Sequence, residues 1–130
     1  MVGWAMAGGL DFVVTECGDY LRITLGGSLS VVDSTDHYQC VTALADASGC
    51  VRLLLDACAV ADRSDIPRIF EFVVRAYPIN PGGRRTACLD KPENLVSARF
   101  FEHLMQNTGR CYRLFFDEAE ALAWLRSDLP

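Results

Sequence analysis

Asp56, Cys58 and Ser64 place a carboxylate, a thiol and a hydroxyl in one short polar corner, residues 57–64, after an apolar run. Their types and spacing are the ones in this sequence that could do chemistry. Cys58 could act as a nucleophile if its thiolate were stabilised, with a histidine as base. His37 and His103 both fall within predicted helices, far from it in sequence. Ser64 could accept a phosphoryl group, but a serine at a helix start is first of all an N-cap, and the cap is the favoured reading. Asp56 ends a strand and faces the corner, where its plainest role is to accept backbone hydrogen bonds of the turn. Gly26-Gly27 and Gly82-Gly83 lack the following glycine or lysine that would cradle a phosphate. Asp33, Asp36, Asp117, Glu118 and Glu120 sit in predicted first turns of helices, where capping and the helix dipole account for acidic charge.

The elements that must position this corner are a strand and a helix. Cys50-Val-Arg-Leu-Leu-Leu-Asp56 is a short apolar run bounded by turn signals, the pattern of a strand buried on both faces. After the corner, Ile66, Ile69, Phe70, Val73, Val74 and Tyr77 recur at i, i+3, i+4, i+7, i+8 and i+11, an apolar stripe that predicts a buried face on a helix over 65–77. Pro67 is tolerated in the first turn and Pro78 ends the helix. Phe72 lies off the stripe beside Arg68, Glu71 and Arg75, so this polar side carries one aromatic that points to a second contact surface.

The rest of the chain alternates in the same way. Residues 11–16 and 20–25 predict a hairpin, the second strand alternating Leu21, Ile23 and Leu25 with Arg22 and Thr24. Asp33 caps a helix carrying Tyr38, Val41, Leu44 and Ala45. Strands follow at 84–89 and 111–116. Between them, Asp90-Lys-Pro-Glu93 starts a helix over 92–107 that is apolar on more than one face and closes at Gly109. Asp117-Glu-Ala-Glu120 starts the last helix, where Ala121, Leu122, Trp124 and Leu125 pack on the sheet. The order is β-β-α-β-α-β-α-β-α, with right-handed crossovers in its parallel part. It predicts one α/β domain over 11–127: a mixed, mostly parallel sheet, an N-terminal hairpin and about four helices. Residues 1–10 read as a flexible leader.

Composition narrows the function classes. The 130 residues suit one domain, and a half-apolar, one-fifth-charged composition is that of a globular protein. A net charge of −5 with scattered basic residues argues against nucleic acid or an anionic membrane as the main partner. No apolar run is long enough to insert in a membrane. The six cysteines contain no Cys-x-x-Cys spacing. They read as reduced thiols of a bacterial cytoplasm, with Cys50, Cys88 and Cys111 as small hydrophobes in apolar strands.

A hairpin followed by alternating helices and strands, ending Tyr112-Arg-Leu-Phe-Phe-Asp-Glu-Ala-Glu-Ala-Leu-Ala-Trp-Leu125, resembles the STAS-like, anti-sigma-factor-antagonist-like (SpoIIAA-like) domains. The likeness in order spans most of residues 11–126, and recognisable identity is confined to the last fifteen or so. The resemblance implies a cytoplasmic module that binds a partner protein or small ligand through the corner after the central strand and the following helix. It also implies a regulatory serine directly after the strand-ending aspartate in phospho-regulated members. Asp56 matches that aspartate, Ala57-Cys58 stand where the serine belongs, and Ser64 is the nearest hydroxyl.

The sequence thus points to a non-enzymatic regulatory or protein-interaction module whose partner surface is Asp56, Cys58, Ser64, Arg68, Phe72 and Arg75. It calls for no catalytic residue, metal or cofactor. Self-association is expected on the apolar surface of helix 92–107 and Phe72. A carrier of a small apolar or lipid-like ligand beneath helices 65–77 and 92–107 is the alternative, and a hydrolase using Cys58 a weaker one.

Overall fold

The computed structural model describes residues 2–7, 10–28, 34–61, 70–71, 73–74 and 83–127, with the backbone alone for 2–7 and 34–38. Six strands form one sheet in the order β1-β2-β3-β4-β5-β6. They are β1 (Val2–Ala7), β2 (Leu10–Glu16), β3 (Leu21–Gly27), β4 (Arg52–Asp56), β5 (Arg85–Leu89) and β6 (Cys111–Phe115). The first three are antiparallel and the last three run parallel to β3. The helices are α1 (Ser34–Ser48), α2 (Leu95–Asn107), entered through a 3-10 turn at Pro92–Asn94, and α3 (Glu118–Leu125).

β4 and β5 are buried on both sides because their neighbouring residues feed two different cores. Leu53 and Leu55 of β4 and Cys88 of β5 join Phe12, Leu21, Ile23, Tyr112 and Leu114 in the larger core. That core is closed by Ala45 of α1, by Val73, and by Ala98 and Met105 of α2. Leu54, Ala87 and Leu89 point the other way, onto Ala121 and Leu125 of α3. A continuous apolar run is what such two-sided burial requires, whereas β3 and β6 alternate because only one side of each is covered.

Two strand arginines fasten α3 by its C-terminal end, where the backbone carbonyls lack helical partners. Arg85 donates to the carbonyls of Trp124 and Ser127 at 2.9 and 2.7 Å, and Arg52 donates to that of Leu125 at 3.0 Å. Arg85 also lies over the Trp124 ring, 5.0 Å from its centre. At the other end, Asp117 accepts the Glu120 N–H at 3.0 Å, the cap expected of it. Gly109 terminates α2 with φ +90°, a conformation that side chains with a Cβ resist.

Three sequence expectations are corrected. Val2–Ala7, read as part of a leader, is a strand paired residue for residue with β2 from Val2↔Thr15 to Ala7↔Leu10. Cys111, read as a small hydrophobe of an apolar strand, is exposed, because β6 turns its odd-numbered residues away from the larger core. On the helix over 65–77, only 70–71 and 73–74 are described. There Val73 is 2 % exposed, but Phe70 and Val74 are 52 % and 62 % exposed. A helix turns about 100° per residue, so Phe70 and Val74 lie roughly 60° and 100° to the same side of Val73. The apolar stripe is wider than the arc this helix buries, and one border of it faces out.

Candidate functional site at the corner after the central strand

Asp56 ends β4 in the middle of the sheet and has both carboxylate oxygens engaged. Oδ1 accepts the Cys58 N–H at 3.1 Å, the i to i+2 bond of an Asx-turn. Oδ2 accepts from Arg22 Nη2 at 2.6 Å. Arg22 projects from β3 on the same side of the sheet and also pairs with Glu118 in the first turn of α3. One guanidinium therefore ties the end of the central strand to the start of the last helix. Arg22 is held more firmly protonated than usual: burial opposes its charge, and Glu118 and Asp56 together outweigh that cost.

The corner then closes on itself. Ala57 N–H donates to Leu89 O at 2.9 Å, Val60 N–H to Ala57 O at 3.1 Å, and Ala61 N–H to Gly27 O at 2.8 Å. Ser28 and Ala61 form a parallel bridge past the ends of β3 and β4. Ala57 and Val60 are buried, which anchors the turn from below. The corner is thus a rigid platform, pinned to the strands on either side, from which the chain leaves toward 65–77.

Cys58 is half-buried against the core under α3, and its Sγ donates weakly to Leu89 O at 3.9 Å. Burial first, then the Asp56 carboxylate beside it, pushes the Cys58 thiol up to about 11. A thiol so placed is protonated near neutral pH and is a poor nucleophile. Among the described residues no histidine partners it, and His103 is exposed on α2. The geometry counts against the Cys58 hydrolase.

Asp90 is 3 % exposed at the end of β5, next to the corner. Its Oδ1 accepts the Lys91 N–H at 2.8 Å and Asn94 Nδ2 at 3.0 Å, which shapes the entry to α2. Lys91 is exposed beside it, and Leu95 and Val96 follow on the first turn of α2, 43 % and 71 % exposed. Among the described residues, no group of histidine, cysteine or acidic side chains is arranged to hold a metal ion.

Of the six residues singled out by sequence, Asp56 and Cys58 are brought together at the corner. Ser64, Arg68, Phe72 and Arg75 lie outside the described residues. Sequence reading passed over Arg22 and Glu118, which fix the corner, because an arginine alternating with leucine and isoleucine reads as a solvated face. It also passed over Phe70 and Val74 by assigning them to the core.

Two solved structures share this architecture. An anti-sigma factor antagonist from Mycobacterium paratuberculosis superposes with a TM-score of 0.63 at 14 % identity, covering 91 % of this chain and 95 % of that one. An uncharacterized protein of the DUF3478 family with a SpoIIAA-like fold, from Shewanella loihica, gives 0.51 at 18 % identity, covering 93 % and 96 %. No family model and no curated protein matches the sequence. The chain therefore has the STAS, or SpoIIAA-like, fold, and at such identities the likeness speaks for the fold alone.

Proposed function

We propose that the protein is a regulatory module that binds a partner protein through the corner at 56–61 and the exposed side of the helix that follows it. The observation that carries this reading is the exposure of Phe70 and Val74, one turn apart beside the buried Val73. Two large exposed apolar side chains offer the apolar anchors, and the pinned corner the firm support, that protein interfaces use. Asp56 and Cys58 contribute the shape of the platform, since their polar groups are already engaged within the chain. The fold shared with an anti-sigma factor antagonist supports a protein as partner and non-catalytic binding as the activity. No helix among the described residues is long and apolar enough to cross a membrane, which fits the cytoplasmic setting of such a module. The test is co-purification from the native host with the Phe70→Ser, Val74→Ser double variant. Both side chains are exposed, so the variant should fold with an unchanged melting temperature and lose the partner. A partner retained at wild-type level would sink the reading.

A further inference from the structure

The two edges of the sheet are finished differently. β6 is closed by α2: the buried Glu102 accepts the Leu114 N–H through Oε2 at 2.6 Å, and Gln106 Nε2 donates to Tyr112 O at 2.8 Å. These two β6 residues turn their backbone groups outward. Phe115, of the other parity, turns its carbonyl inward and accepts the Asp90 N–H at 3.1 Å. One helix thus covers both an edge donor and an edge acceptor, a protection against strand addition.

The opposite edge has another character. β1 reads Val-Gly-Trp-Ala-Met-Ala, with no charge, no proline and no break in its register with β2. Those are the devices that usually blunt an edge. Among the described residues it pairs with β2 alone, so alternate residues direct N–H and C=O groups away from β2.

We infer that β1 is a homodimerisation edge, pairing antiparallel with β1 of a second copy about a twofold axis to join two six-stranded sheets. A second copy suits the edge for two reasons. The whole chain carries a net charge of −5, yet this strand carries none, so two copies can approach here without like charges opposed. Growth by setting β1 of one copy on β6 of the next is blocked by Glu102 and Gln106, so the pairing closes as an isologous dimer instead of propagating. β4 lies three strands away from β1, about 14 Å at ordinary strand spacing, so the corner stays open in each copy. The inference does not rest on the partner surface at Phe70.

Sedimentation over a wide concentration range, with amide exchange read residue by residue, tests it. The protein should sediment as a dimer at high concentration, and alternate amides of 2–7 should gain protection as the dimer forms. Met6→Lys sets a lysine opposite Asp11 within its own sheet, which favours the fold, and puts a charge on the edge. It should weaken dimerisation about tenfold or more at unchanged circular dichroism, while Phe70→Ser leaves dimerisation intact. A monomer at all concentrations would overturn the inference, as would a dimer whose β1 amides gain no protection. If Met6→Lys does not fold, the wild-type amide pattern decides alone.

Discussion

Cys58 shows how a residue that looks reactive in sequence is made quiet by its surroundings. Its neighbours are a carboxylate and an apolar core, and both favour the neutral thiol. With the thiol pushed up to about 11 against an ordinary 9, alkylation by iodoacetamide near pH 8 should run about a hundredfold slower than at an ordinary exposed thiol. Cys111 is the exposed comparison within the same chain, and peptide-resolved mass spectrometry reads both. Equal labelling would show that Cys58 is an available thiolate after all. The linkage has a definite sign. The folded state holds this proton more tightly than the unfolded chain, so the stability tied to it is present below about pH 9 and fades toward 11. The position of Asp56 at the end of a buried strand was legible, as was its role as a turn acceptor. That Arg22 would reach across from β3 was not legible, because parallel pairing joins residues distant in sequence, and Thr24 rather than Arg22 stands directly opposite Asp56.

At the scale of elements, three self-contained local signals were read correctly. The Asp117 cap, the Gly109 stop and the double-sided apolar run of β4 each follow from a few adjacent residues. What could not be read is which border of an apolar helical stripe is covered, since that depends on where the helix lies against the sheet. Phe70 and Val74 fit the period and still face out. The same holds for Glu102, a charged residue at an apolar helix's buried side, whose reason appears only in the edge amide of β6. Arg99 supplies its counter-charge at 2.8 Å on the other oxygen. Glu102→Ala removes the acceptor of a buried N–H and should destabilise the fold by about 1–3 kcal/mol. Urea unfolding measures this, with faster exchange at the Leu114 amide as its local sign. An unchanged midpoint would show that solvent satisfies that amide and that α2 does not seal the edge.

At the scale of the molecule, β4 and β5 at the centre of the parallel half are covered on both faces, and the antiparallel half adds a hairpin and an outer strand. The tip of the β2–β3 hairpin is itself tied to the end of α3. There Asp19 pairs with Arg126 at 3.0 Å, and Arg126 lies over the Tyr20 ring. The alternation of elements made this architecture legible from sequence, apart from β1, whose glycine and alanines give no clear strand period. Among the features that the described residues leave open are the β1 edge and the apolar border at Phe70 and Val74. The most direct test of the central claim is site-specific photo-crosslinking in the native host, with the reactive group at position 70 and, as control, at Val51. Val51 is 55 % exposed but lies at the opposite end of β4. A discrete protein adduct from position 70 and none from position 51 is the expected result. Adducts of the same pattern from both positions, or none from position 70, would contradict a partner surface at the corner.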